Sequence, residues 1–235
     1  MPSRNINKIQ NLATVLGEML NNVVFVGGSV LELYVTDHAA YENRPTDDID
    51  IIITAPTLGG FYSWEQELEK KGFVHISEEE CGKKHAWKHG ELTVNLLPMF
   101  TESLGYTNRW YEEAVFHANS YPLPDGTAIK LFPPAYYLAA KIEAYQQRGK
   151  DDIRMSEDFE DIVYLLGSRL EILEEIGNAF HEVRKFIRDA FLEMLQDYDL
   201  EEGICYALPD GNDIEAIDRI IHIMKEATQL QPAWT

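Results

Sequence analysis

The chain has 235 residues, 45% of them hydrophobic, enough for one large domain or two modest domains with separate cores. No run of 18 uncharged apolar residues occurs, which excludes a transmembrane helix, and the amphipathic N-terminus with its Glu18 is not typical of a signal peptide. Two isolated cysteines, Cys81 and Cys205, fit a reducing compartment, so we expect a soluble, cytoplasmic protein.

The chain is strongly acidic, with 40 acidic and 20 basic residues and a formal net charge of −20. This charge repels nucleic acid at long range, because binding of the phosphate backbone depends on Lys and Arg replacing counterions. Stable binding of double-stranded DNA is therefore not expected, and an RNA acceptor would need a local basic patch. A cationic small molecule or a basic protein would meet no such barrier.

The first half of the chain mixes helices and strands. Apolar residues at helical spacing predict a helix over residues 5–20, and the β-branched run 23–26 predicts a buried strand before a second helical segment. Residues 48–54 predict a strand whose later part is buried on both faces. A helix near 62–71, three short strands and a hairpin with an Asp125-Gly126 turn follow; the strands are expected around 73–76, 85–89 and 91–97.

After Pro133-Pro134 the pattern becomes almost wholly helical. Four helices are predicted, over residues 134–148, 156–168, 170–196 and 213–230. We therefore predict an α+β fold with an N-terminal α/β domain over residues 1–130, formed by a mixed sheet with flanking helices. A C-terminal helical bundle is predicted over residues 131–235.

A Gly27-Gly28-Ser29 turn lies between the predicted buried strand and the following helical segment. Glycines allow the backbone to approach a ligand closely, and a helix start presents N–H groups to phosphate. The Ser29 hydroxyl adds a further donor. By itself the tripeptide does not establish a phosphate site, since the same residues form an ordinary turn with an N-cap.

Asp48 and Asp50 are two residues apart on a predicted strand, so their carboxylates project from one face about 7 Å apart. Like charges this close repel unless a cation lies between them, and Mg²⁺ is the cation that carboxylates commonly share with substrate phosphates. The alternative is an edge strand with two surface aspartates. That alternative is disfavoured because the apolar run 51–53 continues the strand.

Together, Gly27-Gly28-Ser29 and Arg44-x-Thr46-x-Asp48-Ile49-Asp50 resemble the signature of the nucleotidyltransferase (DNA polymerase β-like) superfamily. A second block, from Lys141 to Arg148 and on through Asp158 and Asp161, is similar to the AbiEii-type nucleotidyltransferases of type IV toxin–antitoxin systems. The two blocks span residues 27–162. The resemblance implies transfer of a nucleoside monophosphate from a Mg²⁺-bound NTP, such as ATP, to a hydroxyl of RNA or protein. It further implies a toxin with a cognate antitoxin as its partner.

The resemblance also implies roles for individual residues. Catalysis would depend on Asp48, Asp50, Lys141 and Asp158. Two Mg²⁺ ions would be bound when NTP is present, with ligands from Asp48, Asp50 and the residue at position 95. The nucleotide would be contacted by Gly27, Gly28, Ser29, Arg44, Thr46, Lys141 and Arg148.

Position 95 departs from the family pattern, because a third carboxylate is expected there and the chain has Asn95. An amide oxygen can bind a cation, but it carries no charge and does not accept a proton from the acceptor. Three interpretations stay open: Asn95 is tolerated, Glu91 on the same strand face substitutes for it, or activity is impaired. A catalytically impaired nucleotide-binding protein is therefore one alternative function. An aminoglycoside-type small-molecule nucleotidyltransferase, favoured by the net charge, is another.

The segment 82–90, Gly-Lys-Lys-His-Ala-Trp-Lys-His-Gly, is the one dense basic cluster in the sequence. Basic residues beside an aromatic such as Trp87 can bind single-stranded nucleic acid, but the solvated side of a hairpin is the favoured interpretation. Cys81, His85 and His89 recur at four-residue spacing, and His75 could complete a zinc site. The three lysines of the segment would repel a cation, so no zinc site is predicted.

Overall fold

A computed structural model of the chain describes residues 3–55, 57–99, 108–211 and 213–230. The fold is α+β, as predicted, with one mixed seven-stranded sheet and a set of helices. The chain divides into two compact units. The first comprises Met1–Val30 and Arg44–Pro133, and the second comprises Leu31–Asn43 and Pro134–Thr235.

The first unit contains the whole sheet. Its strands are β1 (Val23–Val26), β2 (Asp48–Ile53), β3 (Val74–Ile76), β4 (Ala86–His89), β5 (Leu92–Pro98), β6 (Asn119–Pro122) and β7 (Ala128–Leu131). They are arranged in the order β3-β4-β5-β2-β1-β7-β6. The pairs β2/β5 and β1/β7 are parallel, and the other neighbours are antiparallel. The helices of this unit are α1 (Arg4–Leu16), α2 (Leu58–Lys70), α3 (Glu78–Cys81) and α4 (Tyr111–Phe116).

The first helix forms where the apolar period predicts it. Its N-cap is Ser3, whose hydroxyl accepts the Ile6 N–H, and its buried stripe includes Ile9, Leu12 and Leu16. The helix ends at Gly17, which has φ 56°, a conformation that favours glycine. Residues 17–22 continue as a 3-10 helix, so the predicted helix over 5–20 is shorter as an α-helix.

The strands β1 and β2 lie in the middle of the sheet because their apolar residues face packed layers on both sides. All four residues of β1 are buried, and so is the run Ile51–Ile53 of β2. The edge strands β3 and β6 are short and mostly exposed. The predicted hairpin is confirmed: β6 and β7 pair across a turn in which the Leu123 N–H donates to the Thr127 carbonyl and Gly126 has φ 88°.

The helical segment after β1 differs from the prediction. Residues Gly28–Tyr34 form a 3-10 helix, so no α-helix begins at Ser29. Arg169 donates to the Tyr34 carbonyl at 2.6 Å, and Ser168 accepts the N–H groups of Thr36 and Asp37. These contacts use the Tyr34 carbonyl and the Thr36 and Asp37 N–H groups, and they attach residues 34–37 to the other residues of the second unit.

The second unit is helical. Its helices are α5 (Pro134–Arg148), a 3-10 turn (Ile153–Met155), α6 (Glu157–Ser168), α7 (Ile172–Asn178), α8 (His181–Met194), α9 (Leu200–Ala207) and α10 (Ile214–Gln229). The predicted division at residue 130 differs from the two observed units in the segment 31–43, which belongs to the second one. No helix in the described ranges has the length and apolar character needed to cross a membrane.

The single helix predicted over 170–196 is wrong, because the chain breaks between α7 and α8. The break lies at Ala179, whose backbone is extended (φ −68°, ψ 159°). The buried Arg184 donates to the Gly177 carbonyl at 2.8 Å and so binds one of the last carbonyls of α7. Sequence periodicity does not reveal such a break, since the apolar spacing continues across it.

Candidate functional site

The carboxylates of Asp48 and Asp50 lie side by side on β2, as predicted. Asp50 is opposite Asn95 on the parallel strand β5 and opposite Val26 on the antiparallel strand β1. The Asn95 side chain donates through Nδ2 to Asp48 Oδ2 and to Asp50 Oδ1, both at 2.7 Å. Because one amide nitrogen reaches both carboxylates, the two aspartates share one face of the sheet. The predicted position of Asn95 beside the pair is confirmed.

Gly27 brings the backbone directly against this pair. It has φ 77°, and a Cβ atom added there would lie 2.1 Å from Asp50 Oδ2. A side chain at position 27 is therefore excluded by the carboxylate as well as by the backbone conformation. The turn after β1 and the carboxylates of β2 thus lie in direct contact within the first unit.

The change Gly27→Ala should lower the free energy of unfolding by roughly 2–5 kcal/mol, since left-handed backbone costs about 1–2 kcal/mol for alanine and overpacking about 1–3 kcal/mol more. The matched control is Gly126→Ala, because Gly126 has φ 88° and open space around its Cβ position. Urea unfolding of both variants measures the difference. Equal losses would contradict the close contact with Asp50.

Ser29 is buried, at 2% exposure, and follows the glycine turn. Its hydroxyl has no hydrogen-bond partner among the residues that the structure describes. A buried hydroxyl without a hydrogen-bond partner lowers the free energy of unfolding by about 1–3 kcal/mol, so such groups usually bind water or a ligand. The orphaned hydroxyl beside Gly27 and Gly28 is compatible with the predicted phosphate contact, which stays a prediction for all three residues.

Lys83 is the site residue that sequence reasoning missed. It follows α3 in the basic segment 82–90, and its ammonium contacts Asp48 Oδ2. Burial acts to raise the pKa of Asp48, but the ammonium and the Asn95 amide outweigh it and hold that pKa below its usual range. The basic segment was visible in the sequence, but the contact depends on how the chain crosses from α3 to β4.

The donor set around Asp48 and Asp50 fits a nucleotide-bound Mg²⁺ better than a metal ion held by protein alone. The described part of the chain holds no group of three or more His, Cys, Asp or Glu side chains that could bind a metal. Mg²⁺ is commonly bound by one or two carboxylates, with phosphate and water oxygens completing its coordination. The two aspartates satisfy that requirement once a triphosphate supplies the other oxygens.

Asn95 is less well suited to the ligand role predicted for it, because its amide nitrogen and not its oxygen faces the carboxylates. Its Oδ1 is buried and has no partner within the described residues. Glu91, the alternative third carboxylate, is exposed in the turn that precedes β5. Asn95 therefore lies beside the aspartate pair, and its assignment to the third position of the family pattern stays a prediction.

Arg44 and Thr46 are bound to α1 through Asn5, a second residue that the sequence did not reveal. The Asn5 side chain donates to the Arg44 carbonyl and accepts the Thr46 N–H, both at 3.0 Å. The Thr46 hydroxyl is 3.1 Å from the Asp48 carbonyl, to which it donates. This network fixes the entry into β2 and hence the position of the first aspartate. The predicted contacts of Arg44 and Thr46 with nucleotide stay predictions.

The predicted residues of the second unit form an ionic cluster, in which Lys141 and Asp158 are largely buried and the Arg148 side chain is 57% exposed. The Lys141 ammonium lies 3.1 Å from Asp158 Oδ1 and 2.5 Å from Asp161 Oδ2, and Arg148 Nε donates to Asp158 Oδ2 at 2.7 Å. Burial acts to lower the pKa of Lys141, but the two carboxylates outweigh it and raise that pKa. Burial also acts to raise the pKa of Asp158, but the cations Lys141 and Arg148 outweigh it and hold that pKa below its usual range. Two cations and two anions thus compensate each other.

Cys81, His85 and His89 do not converge. Cys81 ends the short helix α3, His85 is paired with Glu65 at 3.1 Å, and His89 packs its ring against Phe73 with centroids 4.8 Å apart. The four-residue spacing has no meaning across a helix end, a turn and a strand. The three side chains therefore have separate environments.

The features that the structure brings together are the Gly27 turn, the two aspartates of β2, Asn95 and Lys83. Lys141, Arg148, Asp158 and Asp161 form their own cluster in the second unit. No family model matches the chain, and no curated protein matches it.

Proposed function

We propose that the chain is a Mg²⁺-dependent nucleotidyltransferase that moves a nucleoside monophosphate from an NTP to a hydroxyl acceptor. The observation that carries the proposal is the juxtaposition of Asp48, Asp50 and Asn95 on adjacent strands, directly against the Gly27 turn. Paired carboxylates beside a backbone turn can hold a metal and the phosphates that share it.

The resemblance of the two sequence blocks supports the same proposal. The matching residues of the first block lie in the first unit: Gly27-Gly28-Ser29 follows the end of β1, and Arg44-x-Thr46-x-Asp48-Ile49-Asp50 leads into the start of β2. The block from Lys141 to Asp161 falls on α5 and α6 of the second unit. Membership of the superfamily, and a relationship to the AbiEii-type nucleotidyltransferases, are part of the proposal.

In the proposed reaction Mg²⁺ supplies Lewis-acid stabilisation to the phosphoryl group that is transferred. Asp48 and Asp50 hold the cation. The Ser29 hydroxyl and the backbone of Gly27 and Gly28 donate to the phosphates. Asn95 orients both carboxylates by donating to each, but it cannot take the proton of the acceptor hydroxyl. That proton passes to water or to a phosphate oxygen, which makes a slow reaction the expectation.

Lys141, Arg148 and Asp158 enter the proposal through the resemblance. Because their charges compensate within one ionic cluster, we propose that they act by holding α5 and α6 in register. A direct contact of Lys141 or Arg148 with the nucleotide would require exchange of a carboxylate partner for phosphate. We further propose that the acceptor is RNA or protein. The chain would act as a growth-inhibiting toxin with a cognate antitoxin, in the cytoplasm.

Two alternatives have observations of their own. A nucleotide-binding protein without turnover is favoured by Asn95, which replaces the expected third carboxylate with a hydrogen-bond donor. An aminoglycoside-type small-molecule transferase is favoured by the net charge of −20, which attracts a cationic acceptor.

The test is transfer of label from each of the four α-³²P NTPs to total RNA, to cell protein and to aminoglycosides, with Mg²⁺ or with EDTA. The proposal expects label on one acceptor class together with release of pyrophosphate, lost in EDTA and in the Asp48→Asn, Asp50→Asn double variant. Mg²⁺-dependent NTP binding without pyrophosphate release would favour the binding-protein alternative. Label transfer that survives in the double variant would contradict the proposed site.

A further inference from the structure

One residue of the basic segment 82–90, Lys83, contacts the carboxylate pair of Asp48 and Asp50. Lys83 contacts Asp48 Oδ2, while its ammonium-bearing side chain stays about half exposed (46%). The neighbouring Lys84 lies instead beside a groove lined by Glu65, His75 and Trp87. Trp87 and Asn95 project from opposite faces of the sheet, because Ala86, one residue before Trp87, is the partner of Asn95 in the β4/β5 register.

The contact between Lys83 and Asp48 lowers the negative charge of the site. Asp48 and Asp50 bring two negative charges to one face of β2, and the Lys83 ammonium offsets one of them. The Asn95 amide adds hydrogen bonds but no charge. The carboxylate pair thus keeps a net charge of −1 with the lysine in place, whereas three carboxylates without a lysine would form a strongly attractive site for two divalent ions.

We propose that Lys83 is a resident cation of this site, which weakens divalent binding in the absence of nucleotide and binds the triphosphate when Mg²⁺ enters with the NTP. The inference rests on the proposed function. With Lys83 in place of one cation and Asn95 in place of one carboxylate, the site takes a single divalent ion. Exchange of the ammonium from Asp48 to a phosphate oxygen conserves its ion pairing, and its half-exposed position permits the movement.

The proposal gives the variant Lys83→Met two effects of opposite sign. Affinity for Mn²⁺ without nucleotide should rise about ten-fold, because the competing ammonium is removed from a partly exposed carboxylate. Affinity for Mn²⁺-bound ATP should fall about ten-fold, because the triphosphate loses a charge-assisted partner. A merely structural lysine would weaken both kinds of binding together.

The experiment titrates Mn²⁺, observed by electron paramagnetic resonance, into the full chain with and without ATP. It compares wild type with Lys83→Met, with Lys84→Met as the matched control and with the Asp48→Asn, Asp50→Asn double variant. The expected result is one Mn²⁺ per chain with ATP, opposite shifts in Lys83→Met and no shift above two-fold in Lys84→Met.

Each other result has a defined meaning. If Mn²⁺ and Mn²⁺-ATP bind and the double variant abolishes both, but Lys83→Met behaves as wild type or loses both, the inference about Lys83 is overturned while the proposed site stands. Two Mn²⁺ per chain with ATP overturn the single-ion inference. If Mn²⁺-ATP does not bind to wild type, the proposed function fails and the inference with it.

Discussion

Replacement of Asn95 with aspartate is expected to raise any transferase activity by roughly 10²–10⁴-fold, the usual contribution of a positioned general base. The new carboxylate would stand opposite Asp50 and beside Asp48, where the Asn95 amide now donates to both. It could accept the proton of the acceptor hydroxyl and add a charged ligand for a second divalent ion.

The same change should destabilise the protein when no divalent cation is present. Two hydrogen bonds to charged groups, each worth about 1.5–3 kcal/mol, are lost, so we expect a decrease of about 3–6 kcal/mol in the free energy of unfolding. Repulsion among three carboxylates contributes to it. Addition of Mg²⁺ should recover most of the loss, because the cation then replaces the amide donor.

Initial rates of pyrophosphate release and urea unfolding with and without Mg²⁺ measure these two effects. The control is Asn119→Asp, the same change at an exposed position of the edge strand β6. An unchanged rate combined with unchanged Mg²⁺ dependence of stability would mean that position 95 is not the third position of the site.

The second large effect is expected in the helical unit, where Lys141→Met should lower the free energy of unfolding by about 3–5 kcal/mol. The side chain of Lys141 is 12% exposed and that of Asp161 is fully buried, so the change removes the ammonium that faces a carboxylate shielded from water. Loss of one partner from a buried pair is costly because the remaining charge must be desolvated without compensation.

The pH dependence gives this prediction a second readout. The pKa of Asp158 is held below its usual range by Lys141 and Arg148 against the opposing effect of burial. The ionised carboxylate therefore stabilises the fold above the unfolded-state pKa, and this stability is lost as the pH falls through the lower folded-state pKa. In Lys141→Met the acid loss should begin at higher pH than in wild type.

The control for this change is Lys185→Met, because Lys185 forms an exposed ion pair with Asp189 at 2.8 Å. Exposed pairs contribute about 0–1 kcal/mol, so the control should unfold almost as wild type does. The double variant Lys141→Met, Asp161→Asn should recover part of the stability, since the buried carboxylate is neutralised. A loss in Lys141→Met no larger than in the control would mean that the cluster does not hold the helical unit together.

Short-range patterns in the sequence predicted much of the fold. The stripe in α1, the apolar runs of β1 and β2 and the Asp125-Gly126 turn each depend on neighbouring residues, and each is found where it was expected. The shared face of Asp48 and Asp50 also follows from the two-residue period of a strand. The position of Asn95 beside the two aspartates was expected from the family resemblance and not from local pattern. The parallel pairing of β2 with β5, which sets Asn95 opposite Asp50, confirms this position.

The features that the sequence could not predict depend on contacts between residues that are far apart in the chain. Lys83 reaches Asp48 across 35 positions of the chain, and Asn5 reaches Thr46 across 41. The segment 31–43 joins the helical unit through backbone hydrogen bonds to Ser168, which leave no trace in local apolar spacing. The break after α7 is likewise stabilised by Arg184 through a carbonyl, a contact that hydropathy does not encode.

Asp48 and Asp50 are proposed to bind an NTP through a shared divalent cation. Isothermal titration of ATP into the full chain, with Mg²⁺ and then with EDTA, tests it most directly. We expect binding that requires Mg²⁺ and that is lost in Asp48→Asn, Asp50→Asn, while Asp189→Asn, a change at an exposed carboxylate of the helical unit, leaves it intact. ATP binding that persists in EDTA, or that is unchanged in the double variant, would contradict the claim.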